Sequence, residues 1–126
     1  MDEKIAAAIE RRAKNGELRC AEAFRIAEDL GVAPLAVGQT ANELDVRLAR
    51  CQLGLFGHGP QKSITEPAEE VLPDLEQAIR EGLIVGRLPC AVAWAIAARF
   101  GMPKLHVANA AEGLEVRIGQ CQLGAF

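Results

Sequence analysis

Cys20, Cys51, Cys90 and Cys121 are the residues whose type and number first suggest chemistry. Four thiolates are enough to hold zinc or an iron–sulfur cluster. None of them belongs to a close Cys-x-x-Cys pair, so a metal site would require all four to converge from distant parts of the chain. Each stands among apolar neighbours, where a free cysteine behaves as a small hydrophobe. The expectation is four packing cysteines, with no metal and no cofactor; a metal or redox sensor built on the same thiols is the third functional reading. The two histidines add little. His58 lies in the loop Gly57-His58-Gly59-Pro60, and His106 stands early in a helix, on its surface. With no glycine-rich phosphate loop and no acid/base pair, the chain is expected not to be an enzyme and no catalytic residue is assigned.

The cysteines also reveal how the chain is organised. Both pairs are separated by 31 residues, and an offset of 70 aligns the chain with itself without a gap, giving 21 identities in 56 positions. Residues 1–56 and 71–126 are therefore two copies of one unit, and a repeat of this kind has to be found before any fold is assigned. The best-preserved stretch is Cys51-Gln52-Leu53-Gly54, which returns as Cys121-Gln122-Leu123-Gly124 before Phe56 and Phe126. There the glycines allow a turn and the two phenylalanines are expected to fold back as core plugs. Residues 57–70 have no counterpart. Their glycines, prolines and polar residues read as a linker, with room for a short strand at Lys62–Thr65.

Within each unit the pattern reads helix, short strand, helix, helix, strand. Asp2 caps a first helix that reaches about Lys14 and carries Ile5, Ala8 and Ile9 on one face. Its twin begins near Pro73 and ends near Gly82. Leu18 and Leu88 anchor brief extended stretches. The next two helices run from about Cys20 to Leu30 and from about Pro34 to Leu44, joined at Gly31-Val32-Ala33. Ala27, Gly31 and Val37 supply a close crossing, a turn and a filled angle, and Ala97, Gly101 and Val107 repeat the trio. Two helices joined by a short glycine-containing turn form a helix–turn–helix. A strand follows, in which Val46 and Leu48 alternate with Arg47 and Ala49.

This order resembles the winged helix–turn–helix superfamily over nearly all of both units. The fold expected is mainly α with small β-strands: two tandem helix–turn–helix units packed about a pseudo-twofold axis, the second with an incomplete wing because Phe126 follows its first wing strand directly. The resemblance implies double-stranded DNA as partner and a transcription-regulatory role, since helix–turn–helix proteins bind as dimers with two recognition helices. The outward positions of the third helices are then Leu35, Gly38, Gln39 and Asn42 in the first unit, and Lys104, Ala108, Asn109 and Glu112 in the second. Gln39, Asn42, Lys104 and Asn109 are the candidates to reach base edges, with Arg47, Arg50 and Arg117 on phosphates.

Charge favours a different class. The chain carries a net −3, and residues 1–56 hold eight Lys/Arg against nine Asp/Glu, so neither unit is a basic body. The alternative function is a protein-interaction or assembly module that keeps the scaffold without touching DNA, its partner another protein or a second copy of the chain. Val92 and Ala95 mark the surface for it, because Val92, Ala95, Ala98 and Arg99 replace the polar Glu22, Arg25, Glu28 and Asp29 and leave a helix apolar nearly all round that should be covered. Gln52 and Gln122 are candidates for a shared recognition surface. The longest apolar stretch, Cys90–Ala98, is too short to span a bilayer, the charged N-terminus does not read as a signal peptide, and the unpaired thiols suit a cytoplasmic location.

Overall fold

The computed structural model describes residues 1–126, the side chain of Gln61 excepted. It is mainly helical. The elements run α1 (Glu3–Arg12), β1 (Glu17–Arg19), α2 (Cys20–Leu30), α3 (Pro34–Glu43), β2 (Arg47–Ala49), α4 (Pro73–Glu81), β3 (Leu88–Pro89), α5 (Cys90–Phe100), α6 (Lys104–Gly113) and β4 (Ile118–Gly119), with a single 3-10 turn at Gly59–Gln61. The second half repeats the first at the 70-residue offset, residue for residue in α2/α5 and α3/α6.

Local chemistry explains the boundaries. The Asp2 carboxylate accepts from the Lys4 and Ile5 amides at 2.8 and 3.1 Å, satisfying two of the orphan donors of α1. α1 ends at Arg12, two residues short of the expected Lys14, because Lys14 pairs with Glu17 across a two-residue turn. Asn15 and Gly16 make that turn with φ of 54° and 76°, the left-handed pair a tight hairpin turn needs. Gly31 and Gly101 close α2 and α5 at φ 65° and 63°, a conformation costly for any residue with a Cβ.

The strands depart from a winged helix. β1 pairs with β2 in parallel, Leu18 opposite Leu48, and β3 pairs with β4 likewise, Leu88 opposite Ile118. Each pair ties the residue that enters the helix–turn–helix to the one that leaves it, the helices forming the crossover that parallel strands require. Among the described residues neither unit has a second wing strand. β2 and β4 lead instead into a tight loop closed by Cys51 N–H to Phe56 C=O in one unit and Cys121 N–H to Phe126 C=O in the other. Of the stretch Lys62–Thr65, Lys62 closes the 3-10 turn at φ 64° and Ser63–Thr65 pairs with no strand among the described residues.

Those loops cross over. Leu53 is fully buried in the core of unit 2, among Leu75, Ile79, Leu88 and Val107. Leu123 is buried in the core of unit 1, among Ile9, Leu18, Ile26 and Val37. Each unit of 56 residues is small for an independent core, and each is completed by a leucine from the other. The expected plugs Phe56 and Phe126 are not buried. Phe126 remains 48% exposed, and the two rings meet edge to face with centroids 6.2 Å apart. Phe24 and Trp94, also twins, meet with centroids 4.5 Å apart and planes tilted by 45°. Contact between two sets of twins places the pseudo-twofold axis between the units.

Candidate functional site

The outward face of the third helix differs between the units because the linker lies on one of them. Residues Ser63–Ala68 run in extended form along α6. Ile64 N–H donates to the Gly54 carbonyl (2.8 Å), Glu66 N–H to Asn109 Oδ1 (2.9 Å) and Ala68 N–H to the Asn109 carbonyl (3.0 Å). Donors two residues apart facing one side are the signature of an extended chain. Thr65 Oγ1 adds a bond to Glu112 Oε2 at 3.0 Å, and Gly113 leaves no room for a Cβ against the Ala68 carbonyl. We call this segment the strap.

α3 carries no strap. Its face opens into a groove of about 680 Å³ between α3, β2 and the Leu123–Phe126 loop. Leu35 is 46% exposed there, whereas its twin Leu105 is half-buried. Gln39 and Asn42 are exposed and have no hydrogen-bond partner among the described residues, while Asn109, the twin of Gln39, is spent on the strap. Gly38 and Ala108, expected to face outward, are buried: the Leu123 carbonyl sits where a Cβ on Gly38 would be, and Ala108 belongs to the unit 2 core. The helix faces they occupy are the docking sites of the exchanged loops.

The cations fall into two settings. Arg47 lines the α3 groove and lies 3.7 Å from Glu17, with its side chain 78% exposed. Arg50 joins Arg11, Arg12, Lys14 and Arg19 around a cleft of about 440 Å³ beside β1, also lined by Glu17 and Glu22. Counting charge along the sequence missed this cluster, since its members are scattered between α1, β1 and the residue after β2. Lys104 is half-buried, its ammonium 4.6 Å from the Trp94 ring centroid, and Arg117 is exposed in unit 2, lining a cleft of about 580 Å³ with Ala108 and Glu112. The candidate DNA contacts therefore do not form one surface: Gln39, Asn42 and Arg47 share the α3 groove, Asn109 is under the strap and Lys104 is on the tryptophan.

The partner-surface candidates resolve into local contacts. Val92 packs on Gly82, which caps α4, where unit 1 instead has Glu22 accepting from Arg12 at 2.7 Å. An ion pair in one copy is thus an apolar contact in the other, and the Arg12 guanidinium holds the Glu22 carboxyl below its ordinary range. Ala95 and Ala98 are exposed, so the expected covering of α5 by unit 1 does not occur. Alanines leave little apolar area uncovered, which makes such exposure inexpensive. Gln52 and Gln122 are half-buried and donate to the sulfurs of Cys20 and Cys90, both at 3.5 Å. Burial pushes the Cys20 thiol up to about 11 and raises that of Cys90, against the lowering effect of those glutamines. Such thiols stay protonated at neutral pH, and among the described residues no three His, Cys, Asp or Glu side chains gather in a metal-binding group. His58 Nε2 lies 2.8 Å from the Cys51 carbonyl, tying down the loop, and His106 is exposed. Among the described residues no helix is long and apolar enough to cross a membrane.

No protein-family model, curated protein or solved structure matches this chain.

Proposed function

We propose that the chain is a protein-interaction module that receives its partner on the α3 face of unit 1. One observation carries the reading. In unit 2 the Leu105–Asn109 side of that face is covered by the chain's own strap, leaving open only a cleft of about 580 Å³ along Ala108, Glu112 and Arg117, while unit 1 presents an exposed leucine beside amide side chains without partners. A concave, largely apolar surface with a few free polar groups is the usual form of a binding site. The test is a photo-crosslinking residue placed at position 35 and, as a control, at the exposed position 84 of unit 2. Expressed in its native host, the first variant should yield a defined protein adduct identifiable by mass spectrometry, and the second should not. Adducts equally abundant at both positions, or at neither, would contradict the proposal.

Double-stranded DNA and a transcription-regulatory role form the second reading, favoured by the cleft of Arg11, Lys14, Arg19 and Arg50 beside β1 and, in a separate groove, by the exposed Gln39 and Asn42 of α3. With α6 under the strap, unit 1 alone would contact the groove. Few phosphates would then be neutralised, and each contributes about 0.9 to the slope of log affinity against log salt. Titration of labelled duplexes at low and physiological salt decides it: binding that Arg19→Ala and Arg50→Ala weaken on every sequence, and whose sequence preference Asn42→Ala relaxes, would support this reading. Retention of no duplex even at low salt would remove it.

A further inference from the structure

The internal symmetry of the molecule supplies a template for what the α3 groove takes. Resting on the protein-interaction reading, we infer that the groove binds an extended peptide segment of the strap's own kind, from a partner chain, in the pose the strap adopts on α6. The anchoring groups are duplicated. The Gly54 carbonyl that accepts from Ile64 has its twin in the Gly124 carbonyl, which has no hydrogen-bond partner among the described residues. Asn109 Oδ1, which accepts from Glu66, has its twin in the side-chain amide of Gln39, exposed and free. Leu105 packs against Gly54 beneath the strap, and Leu35 packs against Gly124 in the same way. A peptide laid along α3 therefore meets an acceptor, a leucine and a second acceptor in the order the strap meets them on α6.

The differences between the two faces narrow the class of ligand. Gly113, against which the Ala68 carbonyl closes, is replaced by Glu43, whose Cβ leaves no room for that approach. The bound segment must turn away from the helix there, so it keeps the counterparts of the first two amide bonds and lacks that of Ala68. Glu112, which accepts from Thr65, is replaced by Asn42, an amide that both donates and accepts. The one charged residue lining the groove is Arg47, and its counterion Glu17 is held only at 3.7 Å. Arg47 has an identical twin in Arg117, so it is the groove's one positive charge, not a difference between the faces, that suits an extended segment with acidic side chains. The strap answers to this description: Lys62–Glu70 reads Lys-Ser-Ile-Thr-Glu-Pro-Ala-Glu-Glu, with three carboxylates against one ammonium. Charge on one partner opposite charge on the other mainly sets specificity and approach.

A fluorescein-labelled peptide with the sequence of Lys62–Glu70, titrated with the intact protein and followed by anisotropy, tests this directly. Within the chain the linker supplies an effective concentration on the order of millimolar, so in trans the same contacts should show saturable binding at or below roughly 1 mM. Leu35→Glu, Gln39→Ala and Arg47→Glu, each at an exposed position and each checked for unchanged helicity, should weaken binding at least about fivefold, while Ile84→Glu in unit 2 should not. Replacing the peptide's three glutamates by glutamine should weaken it and blunt the effect of Arg47→Glu. Absence of saturable binding up to 1 mM, or binding indifferent to the three α3 substitutions, would overturn the inference. A duplex DNA whose binding is lost in the same variants while the peptide does not bind would overturn it as well. A protein adduct at position 35 without peptide binding would leave the interaction reading standing and this inference refuted.

Discussion

Burial of Cys20 at the start of α2 raises its thiol to about 11 from an ordinary 9 and makes a prediction about reactivity. At pH 8 a thiol with a value of 11 is about a hundredfold poorer in thiolate than an ordinary one, so alkylation of Cys20 should be slower by about that factor than that of an unfolded control. Peptide mapping after a timed pulse of iodoacetamide reads this out, and labelling of Cys20 at the control rate would refute it. The linkage has a definite sign. The folded value lies above the unfolded one, so the neutral thiol's contribution to stability is complete below pH 9 and is lost as pH rises through about 11. Val85 gives a second test at the scale of one residue. It holds the left-handed position of the α4–β3 turn at φ 50° and is 98% exposed, where its twin is Asn15. A β-branched residue is strained there and asparagine is not. Val85→Asn should therefore stabilise the protein by about 1 kcal/mol in denaturant titration; destabilisation would show that the turn is held by something other than local conformation. Cys121 is only half-buried, whereas the burial of Cys20, Cys51 and Cys90 was readable from their apolar neighbours. Their bonds to Gln52 and Gln122 were not, because no spacing rule brings a loop amide back to a residue 32 positions earlier.

At the scale of elements, the sequence was informative where periodicity and turn chemistry act locally. α2, α3 and their twins lie where the apolar spacing and Gly31/Gly101 put them, and the strands fall beside Leu18 and Leu48. The pairing of those strands was beyond such rules, because a three-residue strand is equally compatible with a wing hairpin and with a parallel partner across a helix pair. Likewise Leu53 and Leu123 were visible as part of a repeated motif, but which core they entered was not, since an apolar residue in a loop carries no information about which neighbour buries it. That exchange predicts the effect of mutation. Leu53→Ala, in a loop of unit 1, should cost about 2–5 kcal/mol, as a core truncation does, and the loss should appear in unit 2. Native-state hydrogen exchange checks it: amides of α5 and α6 should lose more protection than those of α2 and α3. The reverse order would mean that each loop serves its own unit.

For the whole molecule, the exchange makes two sequence repeats into one folding body. Residues 1–70 and 71–126 prepared separately should each lack a cooperative thermal transition, and an equimolar mixture should regain one by circular dichroism. Independent melting of either half would show that its core does not need the other's leucine. The same architecture makes the two faces unequal, because one linker leaves unit 1 and can cover only α6. The duplication was plain in the sequence; the inequality was not, as it depends on where an unrepeated segment lies. The most direct test of this account is the number of peptide sites before and after the strap is removed. Calorimetric titration with the Lys62–Glu70 peptide should give one site on the native chain. It should give two on a chain whose residues 62–69 are replaced by an equally long glycine–serine sequence, as α6 joins α3. Equal numbers of sites on both chains, or none on the native chain and one on the altered chain, would contradict the claim that α3 carries an open copy of the surface the strap occupies on α6.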